Sequence, residues 1–515
     1  MTETQNLNPI GVVGAGVMGR GIAQILVQAG QDVWLHDALP GAAEKAQAAI
    51  AQQLGRLAEK GKITVQERDR ALARLHLAAD FSELAPCRLI VEAIVENLDA
   101  KIALFRQLEG VVAEDAVLAT NTSSLSVTSL AAGCKTPARV AGLHFFNPVP
   151  LMKVVEVIGG ARTAPAINDA LTALVEKTGH SAVRAKDTPG FIVNHLGRAY
   201  PTEALRIVGE GIAGFAEVDD VMREAAGFKL GPFELLDLTA LDVSQPVMES
   251  IYDQYYQEPR YRPSALARQR MTAGLLGRKT GAGFYTYTAE GTKVDQPKEE
   301  EDLSQAPLPH IWVSGGEEGD VKRLREVVSS LGGVVEDGDH PTEGSLILLC
   351  PLGHDATTTA HDLHLDATRT VAIDPLHGFA AFSGRRTLMA TPATSDEALR
   401  AARALFGRDG VPVTAINDSP GFVAQRVLAC IVNVGSDIAQ QGICSPTDLD
   451  TAVRLALAYP KGPLALGDSL GANRVLTILE RLQAFYGDPR YRPSPWLKRR
   501  AELGMSLLSP DKLRF

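Results

Sequence analysis

Three side chains in the first third of the chain have types and spacing suited to moving a proton: Ser123, His144 and Glu156. His144 closes the apolar stretch RVAGLH, and Glu156 lies inside the next one, VVEVI. A carboxylate inside an apolar run needs a partner, because burying it unpaired is costly. His144 can be that partner, and the carboxylate would then favour the imidazolium and fix the ring tautomer. Such a pair can take a proton from a hydroxyl while a hydride leaves the same carbon. Asn121 and Ser123 follow the apolar strand AVLA. In an open parallel sheet the carboxyl ends of strands line the ligand crevice, so both are placed to meet a ligand. Each residue alone has a plainer reading. A lone histidine after a strand is more often structural, Glu156 suits an edge strand, and NTSS is good helix N-cap chemistry.

The hydride needs an acceptor, and IGVVGAGVMGRGIAQILVQAGQDVWLHD, starting at Ile10, predicts a site for one. Ile10–Val13 is expected as a strand, followed by the turn Gly14-Ala15-Gly16-Val17-Met18-Gly19 and a helix that stops near Gly30. Gly14 permits the tight turn, Gly16 lets backbone approach a pyrophosphate, and Gly19 lets the helix pack on the strands. The helix N-terminus would face the phosphates with free N–H groups. Asp37 ends the second strand and can accept bonds from a ribose hydroxyl. It would repel a 2′-phosphate, and Ala38 offers no arginine in its place, so NAD is expected over NADP, with FAD as a lesser alternative.

The elements that must position these residues occur twice. At an offset of 231 residues, DTPGF at Asp187 falls on DSPGF at Asp418, Asp219 on Asp450, Gly231-Pro232 on Gly462-Pro463 and Asp237 on Asp468. With a one-residue gap, PRYRP at Pro259 falls on PRYRP at Pro489. NHLGRAYPTEALRIVGEG and AQRVLACIVNVGSDIAQQG each space apolar residues as helices do. The offset extends upstream, where RVAGLHFFNPVPLMKVVEV falls on TVAIDPLHGFAAFSGRRTL. The fold class is therefore an α/β Rossmann domain plus an all-α domain, both duplicated. The expected domains are 1–186, α/β with a helical arm; 187–288, helical; 289–308, a charged Pro-rich linker; 309–416, a second α/β segment; and 417–515, a second helical domain.

GAGVMGRGIAQ, VEAIVENLDAK, ATNTSSLSVT, HFFNPVPLMKVVEV, DTPGFIVN and GRKTGAGFY, in that order, closely resemble the NAD-dependent L-3-hydroxyacyl-CoA dehydrogenases. The resemblance covers Ile10 to Tyr287. It implies that His144 and Glu156 form the catalytic base and that Ser123 and Asn194 hold the substrate near the reacting hydroxyl. It further implies that Glu96, Lys101, Ser123, Asn147 and Lys279 contact the cofactor. The family's CoA-binding arm corresponds to LGRLAEKGKITVQERDRAL, with Lys60 and Lys62 as candidate phosphate contacts; two solvated surface lysines are the plain alternative. Long bacterial members of the family act on 3-hydroxyadipyl-CoA in phenylacetate breakdown, which makes that the expected substrate. A short-chain ester such as 3-hydroxybutyryl-CoA is the close alternative. A free hydroxy acid or a non-catalytic NAD-binding scaffold are distant ones. A distal carboxylate would need a cation, and Arg198 and Arg206 follow Asn194 on the next helix.

The second copy has lost this chemistry. At the same offset His144 becomes Pro375, Asn147 becomes Gly378, Glu156 becomes Thr387 and Asn194 becomes Gln425, while Lys279 becomes Ser509 at the PRYRP offset. Its turn, SGGEEG, puts Glu317 and Glu318 where phosphate would sit, and the arm is absent. A degenerate, structural copy is expected, with the two helical domains packed as an internal pseudo-dimer; further homo-oligomerisation is left open. The chain has 515 residues, 45% of them apolar and 22% charged, with a net charge of −10. That balance disfavours general binding to nucleic acid or anionic membranes. Five scattered cysteines without a CxxC argue against a zinc site or disulfide framework and suit a reducing cytoplasm. A strand beginning near Ile10 leaves no room for a signal peptide, and no apolar run is long enough to span a membrane.

Overall fold

The computed structural model describes residues 6–294, 303, 306–377, 379 and 384–512. Part of the expected linker (295–302, 304 and 305) and Gly378 lie outside the described residues. The first sheet contains β1 (Ile10–Val13), β2 (Val33–His36), β3 (Leu75–Leu77), β4 (Leu89–Glu92), β5 (Val117–Thr120), β6 (Val140–Phe145), β7 (Val154–Gly159) and β8 (Ser181–Lys186). Their order is β3-β2-β1-β4-β5-β6-β7-β8. All neighbours are parallel except β6 and β7, which run antiparallel. β1, β4, β5 and β6 are buried throughout, as strands covered on both faces by helices must be. One core joins Ile10, Val12, Val33 and Val91 of the strands to Ile22 and Leu26 of helix Val17–Gln28 and Leu171 of helix Pro165–Lys177.

The second sheet contains β9 (His310–Ser314), β10 (Val334–Val335), β11 (Leu346–Leu349), β12 (Thr370–Ile373), β13 (Arg386–Ala390) and β14 (Val413–Ile416), ordered β10-β9-β11-β12-β13-β14. Its antiparallel pair is β12 and β13, matching β6 and β7. By position β11 answers to β5, yet it pairs directly with β9. The copy has thus lost β3 and β4, the arm helices Ala42–Glu59 and Val65–Ala73, and helix Leu98–Leu108, a larger loss than the arm alone. The duplicated Rossmann-plus-helical architecture is as the sequence repeat predicts.

The repeated Asp-x-Pro-Gly-Phe motif is scaffold. Asp187 accepts the backbone N–H groups of Val127 (3.0 Å) and Thr128 (2.6 Å) and the Ser126 hydroxyl (2.8 Å), capping the helix after β5. Asp418 does the same for Ala356 (2.8 Å) and Thr357 (3.1 Å) after β11. Each satisfies orphan donors at a helix start.

Contacts group the chain into two compact units, Met1–His195 with Gln441–Ala458, and Leu196–Gln440 with Tyr459–Phe515. Within the first, helix Pro446–Leu457 packs against β7 and β8, and the Lys186 N–H donates to the Ile443 carbonyl at 2.8 Å. Within the second, the turn Val221–Ala225 packs against β13, and the Asn417 N–H donates to the Ile212 carbonyl at 2.9 Å. These pairs correspond at the repeat offset, so each sheet is backed by a segment of the other copy's helical domain. The contacts are reciprocal, as in a two-fold dimer.

The PRYRP loops meet in the same way inside the second unit. Arg260 Nη2 donates to the Arg492 carbonyl (2.8 Å), and Arg490 Nη2 donates to the Arg262 carbonyl (3.0 Å). Helix Ala424–Gln440 lies on helix Ala199–Gly209, where fully buried Arg426 pairs with fully buried Glu203 at 2.7 Å. Burial opposes the Glu203 charge, but Arg426 and Arg490 hold its carboxyl below the ordinary range.

Candidate active site

The antiparallel turn from β6 to β7 sets His144 directly opposite Glu156. Both are buried, at 4% and 0% exposure, and His144 Nδ1 lies 2.5 Å from Glu156 Oε2. Glu156 Oε1 accepts the N–H groups of Ile192 and Val193, both at 2.9 Å. The carboxylate therefore satisfies two orphan donors at the start of helix Val193–Leu196 as well as the imidazole. With Glu156 ionised, Nδ1 carries the ring proton and Nε2 is left as the basic nitrogen. The ring packs against Phe146 (centroids 4.4 Å apart) and Phe191 (5.8 Å). Burial, and then the charges of Asp448 and Glu156, push the Cys444 thiol up.

Ser123 follows β5 in a loop organised by Glu96. Glu96 Oε1 accepts the Thr122 hydroxyl (2.7 Å) and the N–H groups of Ser123 (2.9 Å) and Ser124 (3.1 Å). Burial raises the Glu96 carboxyl, but the Thr122 bond, Lys101 and the Ser123 and Ser124 bonds outweigh it and hold it below the usual range. The Ser123 carbonyl accepts Asn194 Nδ2 at 3.3 Å, which joins Ser123 to the helix that Glu156 starts. Asn121 Oδ1 takes the Phe145 N–H at 2.9 Å and ties β5 to the end of β6. Ser123, Asn194, His144 and Glu156 are thus linked through one bonded network in the first unit. Asn147 is exposed in the loop after β6.

Lys101, expected at the cofactor, is paired with Glu92, a residue given no role from the sequence. Glu92 is fully buried at the end of β4 and accepts Lys101 Nζ (2.6 Å), the Ile94 N–H (2.7 Å) and the Thr120 hydroxyl (2.7 Å). Lys101, 1% exposed, also reaches Glu96 Oε2 at 3.3 Å. Only the charged residue closing the strand LIVE could have signalled it.

The glycine turn fits a dinucleotide. Gly14 has a φ of 102°, and a side chain there would strike the Ala93 carbonyl. A Cβ on Gly19 would fall 1.7 Å from the Gly14 carbonyl oxygen, so helix and turn pack too closely for any other residue. A Cβ on Gly16 would meet nothing within 4 Å, which leaves open space at the helix N-terminus. No side chain caps that terminus. Asp37 Oδ2 accepts the Ala15 N–H (2.7 Å) and Oδ1 the Leu39 N–H (2.8 Å), holding the acid beside the turn. Val17, Leu39 and Val95 are exposed apolar residues on the turn and on the loops after β2 and β4.

Residues 9–188 match the family model for the 3-hydroxyacyl-CoA dehydrogenase NAD-binding domain, and residues 190–287 and 421–507 match that for its C-terminal domain. The chain belongs to the 3-hydroxyacyl-CoA dehydrogenase family. It is 38% identical over 498 residues to the 3-hydroxyadipyl-CoA dehydrogenase of Escherichia coli K12, covering 97% of this chain and 98% of that one. It is 42% identical over 277 residues to a probable 3-hydroxybutyryl-CoA dehydrogenase of Deinococcus radiodurans, covering 54% of this chain and 99% of the relative. A crystal structure of 3-hydroxybutyryl-CoA dehydrogenase from Escherichia coli K12 superposes with a TM-score of 0.82 at 36% identity, covering 97% of this chain and 99% of that one. Membership carries NAD-dependent 3-hydroxyacyl-CoA dehydrogenase activity in general terms, with NAD as cofactor and an acyl-CoA substrate.

The remaining sequence candidates lie elsewhere. Lys60 and Lys62 are exposed at the turn of the arm, between helix Ala42–Glu59 and helix Val65–Ala73, which Thr64 and Glu67 cap. Lys279 belongs to the second unit and pairs with Asp242. Arg206 is committed to the helical interface, with Glu210 at 2.6 Å, Asp488 at 2.7 Å and the Tyr486 ring 4.8 Å away.

The second copy of this dehydrogenase fold is filled in. The sequence offset puts Pro375 at the position of His144, but the strand register corrects this. In register, Asp374 is the residue opposite Thr387, and its N–H donates to the Thr387 carbonyl at 3.0 Å. The offset slips by one residue in β12. Asp374 accepts Gln425 Nε2 at 2.8 Å, so the counterparts of histidine and asparagine bond each other. Burial lifts the Asp374 carboxyl to about 6. At the former glycine turn, Arg474 Nη1 bonds Glu317 (2.5 Å) and buried Asp320 (2.9 Å), which adds a side-chain ion pair where phosphate would need free N–H groups.

Proposed function

We propose that His144 is the general base that deprotonates the C3 hydroxyl of an (S)-3-hydroxyacyl-CoA as NAD would take the hydride from C3, and that the preferred ester is 3-hydroxyadipyl-CoA. The observation that carries the catalytic reading is the buried His144–Glu156 pair at 2.5 Å, whose carboxylate is anchored by two backbone amides. His144 Nε2 takes the hydroxyl proton, and Glu156 holds the Nδ1 proton and stabilises the imidazolium that forms. Ser123 and Asn194 hold the hydroxyl and the thioester oxygen. NAD, when bound, supplies the hydride acceptor. The Gly14–Gly19 turn and Asp37 would hold its adenosine half. Glu96, Lys101, Ser123, Asn147 and Lys279 are assigned to its nicotinamide half, and Lys60 and Lys62 to the CoA phosphates.

The adipyl assignment is supported by the name of the full-length relative. The hydroxybutyryl titles of the full-length solved structure and of the shorter relatives favour a second reading, a short-chain ester. We place the protein in a reducing cytoplasm: all five cysteines are free, and no helix among the described residues is long and apolar enough to cross a membrane. NADH formation from hydroxybutyryl, hydroxyhexanoyl, hydroxydecanoyl and hydroxyadipyl thioesters tests the substrate. The highest kcat/KM with the adipyl ester supports the proposal, and a higher value with the butyryl ester replaces it with the second reading.

A further inference from the structure

Within the second unit, helices Ala199–Gly209 and Ala424–Gln440 and the two PRYRP loops enclose a cavity of about 10 Å³. That is room for a single small sphere. Its lining is at most 6% exposed. The lining pairs up across the repeat: Ala199 answers to Cys430 and Thr202 to Asn433 at the offset of 231, and Arg260 to Arg490 at the offset of 230. The pairing breaks at Val434. It lines the cavity, and its counterpart is Glu203, the fully buried carboxylate that serves Arg426 at 2.7 Å and Arg490 at 3.4 Å. Symmetry would give Arg260 a carboxylate of the same kind. An isopropyl group stands there instead.

Most polar groups of the lining are committed. Arg260 Nη2 and Arg490 Nη2 hold the Arg492 and Arg262 carbonyls. Asn433 donates to the Arg492 carbonyl (3.0 Å) and accepts the Ser494 N–H (2.7 Å). The Thr202 hydroxyl donates to the Arg198 carbonyl at 2.7 Å. Burial raises the Cys430 thiol well above its ordinary range, so it carries no charge. What is left is the Nε of Arg260 and the Nε of Arg490, both buried without a partner. Such donors are costly to leave unmade. Among the described residues no carboxylate lines the cavity. Glu258 and Asp437, which do not line it, face Arg260 at 3.1 and 4.0 Å, but they are 25% and 16% exposed, and water screens them. The cavity thus offers two charged donors and little to receive the two protons of a water.

We infer that a monatomic anion such as chloride occupies this cavity, bonded by Arg260 Nε and Arg490 Nε, and supplies the negative charge that Val434 omits. A halide accepts from every direction and brings no proton of its own. Hydrogen bonds between charged groups of this kind are about twice as strong as neutral ones. Carboxylates and phosphates are too large for the volume. The ion clamps the two PRYRP loops together, so the packing of one helical copy on the other depends on halide.

Two measurements on the full chain test this. Crystals grown in sodium bromide should show an anomalous bromine peak in the cavity, within hydrogen-bond distance of both Nε atoms. Thermal unfolding is then compared in sodium chloride and in sodium gluconate of equal ionic strength, gluconate being too large to enter. The change from gluconate to chloride should raise the wild-type midpoint by about 1 to 3 °C relative to Val434→Glu, which installs the missing carboxylate. General salt effects act on both proteins and cancel in that comparison. Should Val434→Glu fail to fold, the wild-type map decides alone. A water in the cavity, with no anomalous peak, overturns the inference. A bromine peak accompanied by equal chloride effects in the two proteins marks an adventitious ion only and overturns it too. Either failure leaves the dehydrogenase reading intact.

Discussion

Replacing Glu156 with Gln tests the base through a single atom. The amide oxygen can keep both backbone bonds, to Ile192 and Val193, so the helix carrying Asn194 still starts where it should. The amide nitrogen then faces His144 Nδ1, donor against donor. The ring must shed the Nδ1 proton or rotate. With the proton on Nε2, the imidazole can no longer accept one from substrate. In serine proteases the equivalent change of tautomer costs about 10,000-fold in kcat. Here the expected loss is about 1,000- to 10,000-fold, or about 4 to 5.5 kcal/mol of barrier. Stability should fall much less, by about 1.5 to 3 kcal/mol for one charge-assisted bond. Glu156→Ala, which also strands two buried amides, should be less stable still. The assay is NADH formation at saturating ester, beside urea unfolding of the same samples. A folded Glu156→Gln protein that keeps more than a tenth of wild-type kcat would refute the reasoning.

Three further outcomes are expected. Lys101→Met should destabilise the protein by about 3 to 5 kcal/mol in urea unfolding, because it leaves Glu92 buried without its cation; a change in NAD affinity with stability unaltered would show that the pair carries no load. Calorimetric titration should find one NAD per chain, since the second glycine turn is held by Arg474, and two equivalent sites would contradict that. Glu203 has a depressed folded pKa, so its stabilisation is present above the unfolded value of about 4.3 and is lost as pH falls through the folded value. Unfolding free energy should therefore fall below about pH 4.5, and Glu203→Gln should flatten that part of the profile; an unchanged slope would rule Glu203 out as its source.

The parts of this protein that were legible in the sequence are those specified by local rules. The turn at Gly14–Gly19 could be read because strand, glycines, helix and Asp37 lie within one short segment, and each glycine meets a distinct steric demand. His144 and Glu156 could be paired because two apolar runs joined by a short loop place their residues in register. The repeat was visible through Asp187 and Asp418, whose capping bonds require the same residue in both copies. What could not be read depends on contacts between distant segments. Nothing near Glu92 indicates that Lys101 will neutralise it. The one-residue slip that puts Asp374 opposite Thr387 leaves no mark on an ungapped offset, and the loss of β4 shows only when β9 pairs with β11. PRYRP announced a shared scaffold, but the exchange of arginine-to-carbonyl bonds between its two copies needs three dimensions.

That exchange, with the reciprocal docking of Ile443 on Lys186 and Ile212 on Asn417, gives a physical reason to keep a copy that has lost its chemistry. Helix Pro446–Leu457 backs β7, the strand that carries Glu156. Removing the second half would strip that support from the strand that carries Glu156.

The most direct test of the whole account is NADH formation by the purified chain from an (S)-3-hydroxyacyl-CoA, measured beside His144→Asn. The account predicts clear turnover by the wild type and a loss of at least about 1,000-fold in a folded variant that still binds NAD. Comparable rates from the two proteins would contradict it, and so would a wild type that binds NAD but reduces none with any ester.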